Sequence, residues 1–323
     1  MIAAESLPSN MEPNKEVQAL IGALDVPMDQ TIPITPTGIR EAFAQFVKDI
    51  NERGEIEEVS LIVDEFVSGS GGDIPVRRYE PTGRADDRFD VAVFFHGGGW
   101  VAGDLETADA VSRVLAVGLQ CTVVSADYRC APEDPFPAAY DDCLDVVRHF
   151  QRQSSTRSVL VIGESAGGNL AAAVALATRN DAKQLAGQVL INPVLDLIRE
   201  SPSYERLGVG YGLRANDMRS YAEWYIADGD RRDIRVSPLL ASSFKGVAPA
   251  VVVTAGFDPL HDEGISYVES LVRDDIPVVS LPMPTMLHGW WSLLPVSEEA
   301  RRQSSRLLNA IKFIQSLPSD GKS

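Results

Sequence analysis

The chain has few cysteines and no long apolar run. Its 323 residues include three cysteines, Cys121, Cys130 and Cys143, none in a Cys-x-x-Cys pair. This odd count argues against a disulfide framework and a zinc site, and favours thiols in a reducing compartment. No apolar run approaches the roughly 20 residues of a membrane-spanning helix, and the first residues do not resemble a secretion signal. We therefore expect a cytoplasmic protein.

Positive charge is also scarce. Lys and Arg number 29 against 46 Asp and Glu, which gives a formal charge of −17. Such a surface repels nucleic-acid phosphates and anionic lipids, so we expect no nucleic-acid partner and no membrane partner. The acidic pairs Asp86-Asp87 and Asp141-Asp142 have no matching ligand set, and we interpret them as solvated faces rather than metal sites.

Hydrophobic periodicity predicts an α/β fold. A helix at 39–50 precedes two strands, 59–67 and 74–81, that we expect to pair in antiparallel fashion. Strands and helices then alternate, which is typical of a mostly parallel central sheet flanked by helices. The remaining predicted strands are 90–95, 121–126, 158–162, 188–191, 250–254 and 276–281. The remaining predicted helices are 107–117, 138–151, 166–177, 265–273 and 298–316.

One stretch interrupts this alternation. Residues 201–233 carry tyrosines and a tryptophan among charged residues without a strand pattern, which predicts a helical insertion outside the sheet. Together with the N-terminal segment it is expected to form a lid. We therefore divide the chain into an N-terminal cap segment (1–55), a catalytic core (56–200 and 234–323) and a cap insertion (201–233).

A Gly-x-Ser-x-Gly motif lies between a predicted strand and an Ala-rich predicted helix. It reads Gly163-Glu164-Ser165-Ala166-Gly167. A turn tight enough to expose the serine needs glycine at both ends of the motif, since side chains there would clash. The motif alone is weak, but the strand-turn-helix context makes Ser165 the candidate nucleophile.

Three successive glycines follow an upstream strand, in His96-Gly97-Gly98-Gly99. Bare backbone N–H groups aimed at one point are what a developing oxyanion needs. We expect Gly97, Gly98 and the N–H of Ala166 to be the donors. His96 and Gly99 are expected to support this loop.

The general base can be found by elimination among four histidines. His96 belongs to the glycine loop, while His149 and His261 fall within or at the start of predicted helices. His288 lies in a loop after the last predicted strand and is the candidate base. Asp258, just beyond the strand at 250–254, is expected to orient its imidazole.

The chain order Ser165, Asp258, His288 is that of α/β-hydrolase triads. With these motifs the sequence resembles the bacterial hormone-sensitive-lipase-like (family IV) esterases of the α/β-hydrolase superfamily, from about Val91 to Trp290. The stretches that carry the resemblance are His96–Trp100, Asp127–Arg129, Ala131–Glu133, Phe136–Ala139, Gly163–Leu170, Asp258–Leu260, Asp262–Gly264 and His288-Gly289.

The resemblance implies a carboxylic ester hydrolase with a helical cap, and family members often form homodimers. This sequence departs from the family at Glu164, where Asp or Thr is usual, and at Cys130, where Leu is common. Glu164 keeps the charge of the Asp version, so we expect activity to persist.

A serine triad predicts ester hydrolysis through an acyl-enzyme on a small-molecule ester, without a metal or organic cofactor. Aromatic side chains beside the motifs favour a compact pocket for short acyl chains. The candidate pocket residues are Trp100, Glu164, Phe43, Phe46, Tyr211, Trp224, Leu260 and Trp290.

Two alternatives stay open from the sequence. An amidase, formamidase or dehydratase can use the same triad on the same fold, because fold does not fix the substrate. A non-catalytic ligand-binding relative is the other alternative, and the intact His288 argues against it.

Overall fold

The core of the protein is a single twisted sheet. The computed structural model describes residues 11–22, 34–83 and 90–316. The strands in these ranges are β1 (Leu61–Gly69), β2 (Gly72–Glu80), β3 (Val91–Phe95), β4 (Thr122–Ala126), β5 (Val159–Glu164), β6 (Gly187–Ile191), β7 (Ala250–Phe257) and β8 (Val278–Leu287). Their order in the sheet is β1-β2-β4-β3-β5-β6-β7-β8. β2 pairs antiparallel with β1 and β4, and the pairs from β4 to β8 are parallel.

Helices cover both faces of this sheet. The described helices are α1 (Lys15–Ile21), α2 (Pro36–Arg53), α3 (Asp109–Leu119), α4 (Ala138–Arg152), α5 (Ala166–Thr178), α6 (Pro202–Leu207), α7 (Ala215–Ile226), α8 (His261–Arg273) and α9 (Glu298–Gln315), with short 3₁₀ turns at Pro238–Leu240 and Trp290–Leu293. Alternate residues of β3 belong to two hydrophobic cores on opposite faces of the sheet. Val93 and Phe95 lie in the core that contains α4, α5 and α8. Ala92 and Phe94 lie in the core that contains α3 and α9. This two-sided burial explains the continuous apolar runs of the parallel strands.

The predicted strands and helices are present with small shifts, and the largest differences lie near the C-terminus. We predicted a strand at 276–281, whereas β8 continues to Leu287. Pro282 and Pro284 lie within this extension, and they are tolerated because β8 is an edge strand, where a missing N–H need not disturb the sheet. α8 begins at His261 rather than at residue 265.

One helix was missed. α1 lies in the N-terminal cap segment, before the helix predicted at 39–50, and it has seven residues. Asn14 caps it by accepting from the N–H of Val17 at 3.1 Å, and Val17 and Ile21 are buried. The parts of the predicted cap and core at 1–10, 23–33, 84–89 and 317–323 lie outside the described residues.

The insertion at 201–233 holds α6 and α7 and has no strand in the structure. α7, α1 and α2 all contribute side chains to one cavity above the sheet. We call these three the cap helices. None of the helices that the structure describes is long and apolar enough to cross a membrane.

Candidate active site

The turn between β5 and α5 places Ser165 in a strained backbone conformation, with φ 55° and ψ −117°. The flanking glycines allow this turn. A Cβ at Gly163 would lie 2.0 Å from the Gly167 carbonyl oxygen, and one at Gly167 would lie 2.0 Å from the Phe95 carbonyl oxygen. These are backbone clashes that a rotamer change cannot relieve, so the side chain of Ser165 is presented at the start of α5 only while both glycines are kept.

Three side chains from three loops form one hydrogen-bonded chain. The Oγ atom of Ser165 lies 2.9 Å from Nε2 of His288, and Nδ1 of His288 lies 2.8 Å from Oδ2 of Asp258. Each residue follows or ends a parallel strand at its C-terminal end, where open α/β sheets place their sites. The structure therefore brings together the three residues that the sequence analysis selected as nucleophile, base and orienter.

Asp258 is itself held in place. Its side chain is 1% exposed, and Oδ1 accepts from the N–H of Leu260 at 2.9 Å. Because a carboxylate accepts, Nδ1 of His288 carries the proton and Nε2 is left to face Ser165. Burial by itself lowers the pKa of His288, but the neighbouring Asp258 and, more weakly, Glu164 outweigh burial and raise the pKa above its ordinary value of 6.5.

The glycine loop curls beside Ser165. Gly98 has φ 122°, and its carbonyl accepts from the N–H groups of Val101 and Ala102. No described residue accepts a hydrogen bond from the N–H of Gly97, Gly98 or Ala166. Gly97 lies next to Ser165: a Cβ on Gly97 would be 3.5 Å from the Cβ of Ser165. The geometry leaves backbone donors available beside Ser165.

His96 stabilises this loop from within. Its ring stacks on Tyr128 with centroids 4.2 Å apart, and its Nδ1 donates to the Gly97 carbonyl at 2.8 Å. The Tyr128 hydroxyl donates to the carbonyl of His96 at 2.8 Å. Burial lowers the pKa of His96, which favours the neutral ring. The ring of His96 therefore contacts Tyr128 and the Gly97 carbonyl.

Comparison with known proteins places this architecture in a family. A family profile described as the alpha/beta hydrolase fold matches residues 92–292. The carboxylic ester hydrolase LipN of Mycobacterium tuberculosis is 35% identical over 264 residues, which cover 78% of this chain and 70% of LipN. This chain belongs to the hormone-sensitive-lipase-like esterases of the α/β-hydrolase family. The resemblance inferred from the motifs is confirmed.

Two further relatives show how closely the esterase matches others of known activity or structure. An ethyl acetate hydrolase of Pseudomonas putida is 34% identical over 257 residues, covering 76% of this chain and 81% of that protein. The solved structure of a hyperthermophilic esterase from the archaeon Pyrobaculum calidifontis has a TM-score of 0.86 at 30% identity, covering 94% of this chain and 99% of that one. The fold class predicted from the sequence is confirmed.

The esterase has a cavity of about 260 Å³ above Ser165. The sheet side contributes Gly97, Gly98, Gly99, Glu164, Ser165, Leu287, His288, Gly289 and Ser292, and the cap side contributes Gln18, Ile21, Gly22, Ile39, Phe43, Gly210, Gly212, Leu213, Arg214, Asp217, Met218 and Tyr221. The cavity therefore lies between the hydrogen-bonded chain and the cap helices. Within the described ranges, no group of three or more His, Cys, Asp or Glu side chains is placed to hold a metal ion.

Two of the eight residues predicted to line the pocket do so, namely Phe43 and Glu164. The other six lie elsewhere, because their side chains fill the core or support the cap. Leu260, Phe46 and Trp290 are buried in the cores of the esterase. Trp100 stacks on Tyr225 of α7, Tyr211 packs against Phe257, and Trp224 packs against Tyr221. The aromatic side chains among these six thus pack against other residues and do not form the cavity wall.

Glu164 differs from the sequence expectation in its charge. Its side chain is 7% exposed, and burial raises its pKa to about 7, with Asp258 adding to the rise and His288 opposing it. Near neutral pH the carboxyl is therefore only partly ionised. The expectation that Glu164 simply keeps the charge of an aspartate is corrected accordingly.

Two contacts between the cap helices and the region of the glycine loop were not found from the sequence. Gly99 has φ 65°, and a Cβ there would lie 2.5 Å from the Tyr221 ring, so this glycine allows the cap to approach the glycine loop. Arg40 of α2 donates to the carbonyls of Val101 and Ala131 at 2.7 and 2.8 Å, which ties the cap to that loop. The only signal for such contacts is amphipathic helical spacing, which does not reveal the partner of a side chain.

Proposed function

We propose that this esterase hydrolyses short-chain carboxylic esters of small molecules by acyl transfer through Ser165. The observation that carries the proposal is the chain from Ser165 through His288 to Asp258, with its two contacts of 2.9 and 2.8 Å. Both distances lie in the range needed for proton transfer between a nucleophile, a base and the group that orients the base.

In the first half of the reaction, Nε2 of His288 accepts the proton of Ser165 while Oγ attacks the ester carbonyl carbon. The N–H groups of Gly97, Gly98 and Ala166 stabilise the negative charge that develops on the carbonyl oxygen. The tetrahedral species then collapses, its ester C–O bond breaks, and the alcohol leaves with the proton from Nε2. The acyl group remains on Ser165.

In the second half, a water molecule gives one proton to His288 and its oxygen attacks the acyl carbonyl. The bond to Ser165 then breaks, the serine recovers its proton from His288, and the carboxylic acid is released. Asp258 accepts the hydrogen bond from Nδ1 of His288 and orients the ring in both halves. Buried beside the imidazole, its charge stabilises the imidazolium that forms in both halves.

The preference for short acyl chains rests on the size of the cavity. Its volume of about 260 Å³ lies below the roughly 300–1,000 Å³ of sites that hold drug-sized ligands. The cap helices line it opposite Ser165, with Phe43 and Tyr221 among the lining residues. The ethyl acetate hydrolase relative acts, by its name, on a short ester, which supports the same preference.

The test is a series of p-nitrophenyl esters from acetate through butyrate and octanoate to palmitate. We expect kcat/KM to be greatest for acetate or butyrate and to fall steeply at octanoate, because a longer chain cannot fit beneath the cap. A maximum at octanoate or palmitate would contradict the preference for short chains while leaving ester hydrolysis intact.

The sequence also predicts a cytoplasmic location and a homodimer, and we keep both as parts of the proposal. The dimer is expected from family resemblance. Light scattering after size-exclusion chromatography tests it, with a mass of twice 35.0 kDa expected and a mass of 35.0 kDa contradicting it.

A further inference from the structure

Glu164 has a carboxyl that the triad does not use. It precedes Ser165, lines the cavity and is 7% exposed. Its Oε1 atom is fully buried and has no hydrogen-bond partner among the described residues. A buried polar atom without a partner costs roughly 1–3 kcal/mol, so a fold normally satisfies such a group. Glu164 thus combines an unsatisfied carboxyl oxygen with a position in the wall of the cavity, where a ligand could supply the missing hydrogen bond.

The other charged groups of the cavity already have partners. Arg214 donates to both carboxylate oxygens of Asp217, with contacts from 2.6 to 3.1 Å. His288 is engaged by Ser165 and Asp258. Of the cavity-lining residues that the structure describes, only Glu164 has a fully buried side-chain polar atom without a partner.

We infer that Glu164 is a specificity-determining residue whose carboxyl hydrogen-bonds an oxygen acceptor on the ester, so that the site favours short esters carrying an ether oxygen over their hydrocarbon isosteres. The inference deepens the proposed function and rests on it. A neutral carboxyl can donate its proton to an ether oxygen, whereas a carboxylate can only accept. Since burial raises the pKa of Glu164 to about 7, the donor form exists at neutral pH and disappears in mild alkali.

The probes are two pairs of esters in which an ether oxygen replaces one methylene. In the acyl pair, p-nitrophenyl methoxyacetate is compared with p-nitrophenyl butyrate. In the alcohol pair, 2-methoxyethyl acetate is compared with butyl acetate. The preference within a pair is the ratio of the two kcat/KM values. Comparing this preference between variants cancels the different intrinsic reactivities of the two esters and any general loss of activity.

Two variants of nearly equal size separate the roles of Glu164. Glu164→Gln keeps a hydrogen-bond donor, and Glu164→Met removes it. At about pH 6, we expect the preference for the ether ester in at least one pair to fall about 5–10-fold in Glu164→Met, as expected for the loss of one buried hydrogen bond, and to persist within about 2-fold in Glu164→Gln. An unchanged preference in both pairs for Glu164→Met would overturn the inference.

A pH series gives a second test that does not depend on whether the Met variant folds. His288 and Asp258 act on the Glu164 carboxyl, and the cap helix α7 with the residue before it adds Arg214, Asp217 and Tyr221 to the titratable groups of the same cavity. Their effects on general turnover cancel within a pair. The preference of the wild type should fall between about pH 6 and about pH 8.5 as the carboxyl ionises, and that of Glu164→Gln should stay constant. A wild-type preference that is constant over this range would contradict the inference.

These outcomes are distinguishable from failure of the proposed function. If the wild type hydrolyses none of the four esters, or if Ser165→Ala hydrolyses them as well as the wild type, the proposed function fails. If hydrolysis depends on Ser165 but the preference for the ether ester is the same with and without Glu164, only the inference about Glu164 fails.

Discussion

Trp100 and Tyr225 stack face to face, with ring centroids 4.4 Å apart and planes 2° from parallel. Trp100 ends the glycine loop and Tyr225 lies on cap helix α7, so the stack joins the cap to the backbone donors beside Ser165. Trp100 also has φ 60°, an unfavourable backbone conformation for a bulky residue, which the stack helps to hold.

Substitutions of Tyr225 test this contact. The ring is fully buried, and its hydroxyl has no hydrogen-bond partner among the described residues. Tyr225→Phe should therefore match or exceed the wild type in free energy of unfolding, since it removes an unsatisfied polar atom. Tyr225→Ala should lose about 3–5 kcal/mol, as large core truncations do, and should lower kcat through the displaced glycine loop. Urea unfolding measures both, and a Phe variant less stable than the wild type by more than about 1 kcal/mol would show that the hydroxyl is bonded.

Much of the fold and the hydrogen-bonded chain was predictable because their signals are local. Gly163 and Gly167 mark a turn that excludes side chains, and His288 was the one histidine left after elimination. The cavity wall was not predictable, because whether an aromatic ring lines a cavity or fills a core depends on its tertiary partners. In the sequence, nothing distinguishes Trp100 and Trp290 from a cavity-lining residue such as Phe43. Both tryptophans are nevertheless fully buried.

Phe43 and Phe46 provide a matched pair on α2. Phe43 lines the cavity above Ser165 and also a second cavity beside Val101, whereas Phe46 packs into the core. Phe43→Ala should join the two spaces and shift the optimum of the p-nitrophenyl ester series toward longer acyl chains. Phe46→Ala should lower the melting temperature and leave the chain-length optimum in place. The same shift in both variants would contradict the expectation that Phe43 limits the length of the acyl chain.

The pH dependence of kcat/KM reports on His288. Activity requires the neutral imidazole, so it should rise with pH through the pKa of His288, which Asp258 and Glu164 raise above 6.5. Glu164→Gln removes one of the charges that raise the pKa of His288. The acidic limb of the pH profile, where kcat/KM rises with pH, should therefore move to lower pH. The exposed Glu52→Gln on α2 is the control and should leave the limb unchanged. A limb that stays in place or moves to higher pH in Glu164→Gln would contradict this coupling.

Glu263 links stability to pH. Its Oε2 accepts from the N–H groups of Leu195 and Asp196 at 2.6 and 3.1 Å, and burial raises its pKa from 4.5 to about 8. The folded state therefore binds this proton more tightly than the unfolded state, and the stability from it is lost as pH rises from about 4.5 to about 8. The glutamine of Glu263→Gln cannot ionise. The melting temperature of this variant minus that of the wild type should therefore increase by roughly 2 °C or more as the pH rises across this interval.

The exposed Glu269 on α8 supplies the control for that comparison. Glu269→Gln should follow the wild type at every pH, because this side chain lies on the exposed face of α8 and not in the core. A constant difference in melting temperature between Glu263→Gln and the wild type over the whole interval would show that Glu263 does not titrate in this range.

The most direct test of the account is the hydrolysis of p-nitrophenyl acetate by the wild type and by Ser165→Ala. Ser305→Ala, an exposed serine on α9, is the control. Loss of the nucleophile should lower kcat by about 10⁴-fold or more without lowering the melting temperature, while the control keeps wild-type turnover. Turnover in Ser165→Ala equal to that of the wild type would contradict the assignment of Ser165 as the nucleophile of this esterase.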